Sequence, residues 1–321
     1  MSLSSRAEAP PRKRCVAESP QPPVVVVVPP EEGASGGAPR PSWSADPQVP
    51  LIQVVDCLWF PRRIPGGEGQ SVGELLRADH RPVDVRVELV GGCVAYGFRE
   101  EPLSDLGNPQ WVVAQGISPG SADFVLQSDV ARVVGECRSR NFVLGEIGLD
   151  YSGPATQRCQ RFVLAEFFRQ ATFSTGMILV VKGTADDPLG RVPTQDCLTL
   201  MDGMFVPILV PIFIRGFTGG PEQVKLWVES GRPVFFGIGG QIADMSATQL
   251  SGVRAIPTDR LLVESDSPEF LCGVEAPMGP RHIGEVYRRV AAARGQDVAL
   301  LAGLVLRNFR VFFGPQLRGS L

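Results

Sequence analysis

The residues of this sequence best suited to chemistry are polar and charged side chains at or near the ends of strongly apolar runs. They are Asp56, Ser118, Glu146, Lys182, Arg215 and Asp266. Carboxylate oxygens are the ligands that Mg²⁺ prefers, whereas arginine and lysine bind phosphate oxygens. The set therefore suggests a cation held by the three acids, a phosphate held by the two bases, or ion pairs without any ligand.

Eight apolar runs precede or contain these residues and predict buried strands. They are rich in Val, Ile, Leu and Phe and nearly continuous, as expected for strands covered on both faces of a parallel sheet. The runs are Leu51–Val55, Val85–Val94, Trp111–Gly116, Phe142–Ile147, Met177–Val181, Pro207–Ile214, Val234–Ile238 and Leu261–Glu264.

Segments with helical spacing lie between and after these runs. Examples are Phe124–Arg138, Gln157–Thr172, Pro221–Ser230, His282–Arg294 and Leu300–Phe313. Eight strands alternating with helices over residues 51–315 predict an α/β fold, a (β/α)₈ TIM barrel. Because the active sites of such barrels lie at the carboxyl ends of the strands, we expect the polar side chains to converge on one mouth.

The composition divides the chain into three parts. Residues 1–50 are rich in Pro, Ser, Ala and Gly and predict a disordered N-terminal arm, followed by the barrel at 51–315 and a short tail at 316–321. The basic cluster Pro11–Arg14 in the arm is interpreted either as a nuclear-import or phosphate-contacting motif or as a solvated charge run.

The same composition favours a soluble protein of the cytoplasm or nucleus. Seven cysteines without a CxxC pair indicate reduced thiols, and no secretory signal precedes them. The valine run Val24–Val28 is too short to span a membrane, so no membrane association is expected. The net charge of −3 does not indicate nucleic acid as a partner, although it does not oppose a local contact.

Four strings resemble motifs of the TatD family of metal-dependent deoxyribonucleases. Gly145–Tyr151 matches the GEIGLDY signature, and Glu264–Pro268 is similar to ETDxP. Gly216–Gln223 is similar to the HCFTGxPEQ segment, and Asn308–Gly314 resembles the last helix of the family. The resemblance implies a (β/α)₈ barrel and hydrolysis of phosphodiesters at a pair of divalent cations.

The resemblance also implies a set of metal ligands, most of which this chain lacks. Glu146 and Asp266 match the retained acids of the family. The positions of the family's histidines hold other residues: Leu58 and Phe60 for the HxH pair, then Ser118, Lys182 and Arg215. The whole chain has two histidines, His80 and His282, whereas the family metal site uses four. We therefore expect no cofactor and a vestigial site formed by Asp56, Glu146 and Asp266.

An ion network is the expected replacement for the metals. Two buried carboxylates without a cation repel each other and lose hydration, and nearby bases offset that cost. Lys182 and Arg215 are therefore predicted to pair with Glu146 and Asp266.

The leading functional hypothesis is an inactive barrel that serves as a scaffold or binds an unidentified protein partner. One alternative is residual or altered phosphodiesterase activity, with Mg²⁺ or Mn²⁺ held by Glu146 and Asp266. Another is metal-free binding of a phosphate or a nucleic-acid end by Lys182, Arg215 and Ser118.

Overall fold

A computed structural model describes residues 51–64, 87–102, 106, 110–170, 176–204, 209–268 and 280–317. Eight strands form one parallel sheet in the order β1 to β8. They are Ile52–Trp59, Val87–Gly97, Trp111–Gly116, Val143–Asp150, Met177–Lys182, Ile212–Arg215, Val234–Ile238 and Leu261–Val263.

The sheet curls so that β1 and β8 meet at the carboxyl ends of the strands. The amide N–H of Asp266 donates to the carbonyl of Leu58 at 3.0 Å, and that of Phe60 donates to Ser267 at 3.1 Å. This arrangement confirms the predicted TIM barrel, whose mouth lies at these strand ends.

Seven α-helices surround the strands within the described ranges. They are α1 Gln127–Arg140, α2 Gln157–Gln170, α3 Arg191–Asp202, α4 Pro221–Glu229, α5 Ala247–Ala255, α6 Ile283–Arg294 and α7 Val298–Phe313. Pro221 starts α4 as predicted, because its ring suits a first-turn position that needs no N–H partner.

Helix α7 supplies aromatic side chains that pack against the amino-terminal ends of the strands. The ring of Phe312 lies 5.7 Å from that of Phe213 in β6 and 5.5 Å from that of Phe235 in β7. Among the described residues, the stretch Val298–Gln316 is the one helical segment long and apolar enough to cross a membrane. Its buried residues Leu301, Val305 and Phe309 belong to the barrel core, so packing explains the composition.

Some predicted boundaries are wrong. Strand β1 continues to Trp59 instead of ending at Val55, because Leu58 and Trp59 are also fully buried. Asp56 therefore lies inside a strand and not beyond its end. Helix α1 starts at Gln127 rather than Phe124, after a 3₁₀ helix over Pro119–Phe124.

Other predictions fall outside the described residues. These are the N-terminal arm (1–50), the loop that carries His80, and the amino-terminal part of the sixth predicted strand (207–208). His282 lies at the start of α6, as predicted.

Candidate functional site

A single arginine joins the two acids at the mouth of the barrel. One guanidinium nitrogen of Arg215, the last residue of β6, donates to Glu146 of β4 and another donates to Asp266 after β8. The arginine side chain is 13% exposed and each carboxylate 6%, so the three charges are largely removed from water. The structure thus brings together Arg215, Glu146 and Asp266 as the network prediction required.

The local backbone explains why the two acids reach the same arginine. Gly145 and Gly148 flank Glu146 closely in β4, and both adopt positive φ values, 155° and 137°. A Cβ at Gly148 would lie 2.1 Å from the carbonyl oxygen of Val180 in β5, so only glycine permits this approach. Asp266 has φ 52°, a left-handed conformation that aspartate tolerates better than most residues.

A second arginine extends the network. Arg63, in the 3₁₀ helix after β1, lies 3.5 Å from the second oxygen of Glu146, and Ser118 contributes a side-chain hydrogen bond to the same carboxylate. Burial would raise the pKa of Glu146, but the charges of Arg215 and Arg63 outweigh it and hold the pKa below its usual value. Glu146 is therefore ionised at neutral pH.

An aromatic ring supports both arginines. The guanidinium carbon of Arg63 lies 3.8 Å from the ring centroid of Phe60, and that of Arg215 lies 5.1 Å from it. A cation over an aromatic face is attracted by the ring quadrupole, more strongly when the pair is desolvated. Phe60 and Leu58 are both buried, so the positions matched to the paired histidines hold hydrocarbon.

Asp56 does not belong to the ion network. Its Oδ1 accepts from the backbone N–H groups of Ser265 at 2.8 Å and Leu58 at 3.3 Å, which ties β1 to β8. Its Oδ2 is buried and has no hydrogen-bond partner in the described part of the chain. Burial raises the pKa of Asp56 to about 7, although the hydrogen bonds from Ser265 and Leu58 act in the opposite direction. Its principal role is to hold the closure of the barrel.

Glu264 is a further buried acid that was quoted within a motif but not predicted as a site residue. Its Oε1 accepts from the N–H of Gly216 at 2.5 Å, whereas its Oε2 has no partner among the described residues. Burial, followed by the charge of Asp266, raises the pKa of Glu264 well above its usual value. The available signal was its place at the end of the last predicted strand, where a polar residue follows Leu261–Val263.

Gln241 was missed altogether. It lies in the 3₁₀ helix after β7, and both polar atoms of its amide are buried without a hydrogen-bond partner in the described ranges. A Cβ built on Gly216 would lie 3.7 Å from the Nε2 of Gln241 and 3.8 Å from the Oδ2 of Asp266. Gln241 and Asp266 are therefore close to each other at the mouth. Nothing in its sequence context marked it.

Lys182 departs from the predicted network. It ends β5, but its side chain is exposed and makes no ion pair with any described residue. The network is therefore made by Arg215 and Arg63 in place of Arg215 and Lys182. The physical reason is that β5 is buried on both faces up to Val181 and emerges into solvent at its last residue, Lys182.

These residues do not fit a pair of divalent cations. Arg215 occupies the space between the two surviving acids and pairs with both, and hydrocarbon stands at Leu58 and Phe60. Within the described ranges, no three His, Cys, Asp or Glu side chains come together in a way that would hold a metal ion. What the mouth contains is an arginine-centred ion network.

Fold and site together define a (β/α)₈ barrel with an arginine-centred ion network at its mouth. The family model for TatD-related DNases matches residues 103–314. The chain belongs to the TatD-related DNase family, which confirms the resemblance of the motifs.

Curated relatives match over a shorter segment. The 3'-5' ssDNA/RNA exonuclease TatD of Escherichia coli (strain K12) is 31% identical over 108 residues, covering 30% of this chain and 40% of the relative. The protein with the same description from Erwinia amylovora is 32% identical over 118 residues, covering 34% and 45%. The chain thus spans less than half of the length of these relatives.

Solved structures match over most of the chain and support the fold. The TatD homologue YJJV of Escherichia coli has a TM-score of 0.63 and 18% identity, covering 81% of this chain and 98% of that one. An uncharacterized amidohydrolase from Saccharomyces cerevisiae has a TM-score of 0.62 and 14% identity, covering 82% and 100%.

Proposed function

We propose that this chain is a TatD-related barrel that no longer hydrolyses phosphodiesters and acts as a scaffold or binding protein. The observation that carries the proposal is the position of Arg215 between Glu146 and Asp266. The fixed cation there offsets part of the negative charge that a divalent ion would otherwise offset.

The charge state of Arg215 supports this role. Burial alone would lower its pKa, but the charges of Asp266 and Glu146 raise it above the ordinary arginine value. The guanidinium is therefore charged at any pH at which the protein folds. A divalent ion approaching the same two acids would meet this charge and would have to displace its hydrogen bonds.

The residues that remain do not provide the parts of metal-assisted hydrolysis. That chemistry uses close cations to activate a water and to stabilise the leaving oxygen. Leucine and phenylalanine offer no ligand atoms, and the sulfur and nitrogen donors that would replace histidine do not cluster in the described part of the chain. No step through a metal follows from this site.

The proposal is tested with the full chain, end-labelled single-stranded DNA and RNA, and Mg²⁺, Mn²⁺ or EDTA. A Glu146→Ala/Asp266→Ala variant, shown to be folded by circular dichroism, is the matched control. We expect no cleavage in any condition. Cleavage that requires metal and is lost in the variant would contradict the proposal and favour an altered phosphodiesterase.

The same protein and labelled nucleic acid also test whether the chain binds phosphate without a metal. Ser118 and Arg215 are already engaged with Glu146, so Lys182 is the member of the predicted set that is left exposed. Retention of the labelled nucleic acid in EDTA, lost in a Lys182→Gln variant, would favour binding of a nucleic-acid end. The protein partner and the cytoplasmic or nuclear location stay predictions.

A further inference from the structure

A small cavity lies at the opposite end of the barrel from the mouth. It has a volume of about 190 Å³ and opens between the end of α4 and the 3₁₀ helix Thr258–Arg260 that precedes β8. Its wall includes Val234, the first residue of β7, so the cavity belongs to the amino-terminal ends of the strands. The arginine network of the mouth takes no part in it.

Arg232 brings a buried guanidinium to this cavity. The side chain is 13% exposed, and one terminal nitrogen donates to Asp202 at 2.7 Å. The Nε atom is buried and has no hydrogen-bond partner among the described residues. A buried donor without an acceptor costs free energy, so the guanidinium of Arg232 is incompletely satisfied beside the cavity.

Arg260 brings a second guanidinium from a separate loop. It lies over the ring of Phe235, 5.6 Å from its centroid, and its Nε is 3.6 Å from the carboxylate of Asp259. Asp259 is 78% exposed, so this pair is loose and screened by water. Arg260 therefore keeps donors that a ligand oxygen can accept from.

Val228, Val234 and Pro257 give the cavity an apolar wall beside the two arginines, and Asp259 completes the lining next to Arg260. We propose that this cavity is a binding site for a small carboxylate with a branched aliphatic body, its oxygens on Arg232 and Arg260 and its hydrocarbon on Val228, Val234 and Pro257.

The charges around the cavity suit a ligand with one negative charge better than a dianion. Asp202 and Asp259 each contact one of the two arginines and reduce the positive charge that they offer. A planar carboxylate matches the geometry of the guanidinium donors. An aliphatic tail, which inorganic phosphate lacks, is stabilised by burial against the apolar wall.

The probe is 4-methylpentanoate, titrated into the full chain by isothermal calorimetry, with neutral 4-methylpentanamide and inorganic phosphate as comparison ligands. We expect saturable binding of one 4-methylpentanoate per chain and at least about tenfold weaker binding of the other two ligands.

Two variants test the two halves of the site. Val228→Trp fills the cavity from a residue that is 43% exposed, and Arg260→Gln removes charge from a side chain that is 33% exposed. Each should weaken 4-methylpentanoate binding by at least about tenfold, because the tryptophan fills the space that the ligand needs and the glutamine removes a charge-assisted hydrogen bond. Arg310→Gln, at an exposed position on α7, should leave binding unchanged.

The proposal is overturned by an absence of saturable binding in the wild-type chain. It is equally overturned if either variant binds as the wild type does, if the amide binds as well as the acid, or if phosphate binds more tightly than the carboxylate.

Discussion

The guanidinium of Arg215 lies 5.1 Å from the ring centroid of Phe60, so residues at two positions matched to family histidines contact each other. The ring supports the cation, and the same cation pairs with Glu146 and Asp266. The side chains at the mouth are therefore coupled to one another through Arg215.

Replacing Arg215 by methionine should strongly destabilise the barrel. The substitution keeps much of the side-chain volume but leaves two nearly buried carboxylates without their shared cation, which typically costs about 3 to 5 kcal/mol. Urea unfolding at pH 7 measures the change, and Arg310→Met on the exposed face of α7 is the control. A loss below about 1 kcal/mol would show that the network carries little of the stability.

Removing both Glu146 and Asp266 should abolish the dependence of the unfolding free energy on Arg215. In a Glu146→Met/Asp266→Asn background, the further change Arg215→Met should cost less than about 1 kcal/mol, because the two carboxylates that Arg215 pairs with are then absent. Asparagine is chosen at position 266 since it tolerates the left-handed backbone found there. Equal costs of Arg215→Met in the two backgrounds would mean that the three residues act independently.

The stability of the barrel should fall as the pH rises from about 4 to 7. The pKa of Asp56 is about 7 in the folded protein, against an ordinary value of 3.8, so in this range the folded state binds a proton that the unfolded chain has lost. Glu264, whose pKa is also raised, acts in the same direction. The Asp56 contribution amounts to at most about 4 kcal/mol.

The variant Asp56→Asn isolates this contribution. Its side-chain oxygen still accepts from Ser265 and Leu58, but it does not titrate, so the fall in stability between pH 4 and 7 should become smaller. Urea unfolding at several pH values measures it. An unchanged pH profile in the variant would assign the dependence to other groups. The lowered pKa of Glu146 works the other way, because its stabilisation is lost as the pH falls through that pKa.

Gly148→Ala should be among the most damaging small substitutions in the chain. A Cβ there would lie 2.1 Å from the carbonyl oxygen of Val180, and the φ of 137° is unfavourable for any side chain. We expect a loss of at least about 3 kcal/mol in urea unfolding. Gly303→Ala is the matched control: it lies in α7 with open space around its Cβ position, so it should stabilise by up to about 1 kcal/mol. Comparable effects of the two would contradict the close β4–β5 approach.

The sequence allowed most of the barrel to be predicted, because continuous β-branched runs such as Met177–Val181 mark buried strands. The Arg215 network was also predictable, since strand ends of a barrel converge. Arg63 was not, because its contact with Glu146 depends on the path of a 3₁₀ helix after β1. Lys182 was assigned wrongly to the network, because the sequence does not show that β5 emerges into solvent at its last residue.

The central claim is that Arg215 stands where a divalent ion would otherwise bind, and Mn²⁺ binding tests it most directly. Electron paramagnetic resonance would count the bound Mn²⁺ in the full wild-type chain and in the Glu146→Ala/Asp266→Ala variant, without relying on any activity. We expect the wild type to bind no more Mn²⁺ than the variant binds. One Mn²⁺ per wild-type chain, lost in the variant, would contradict it.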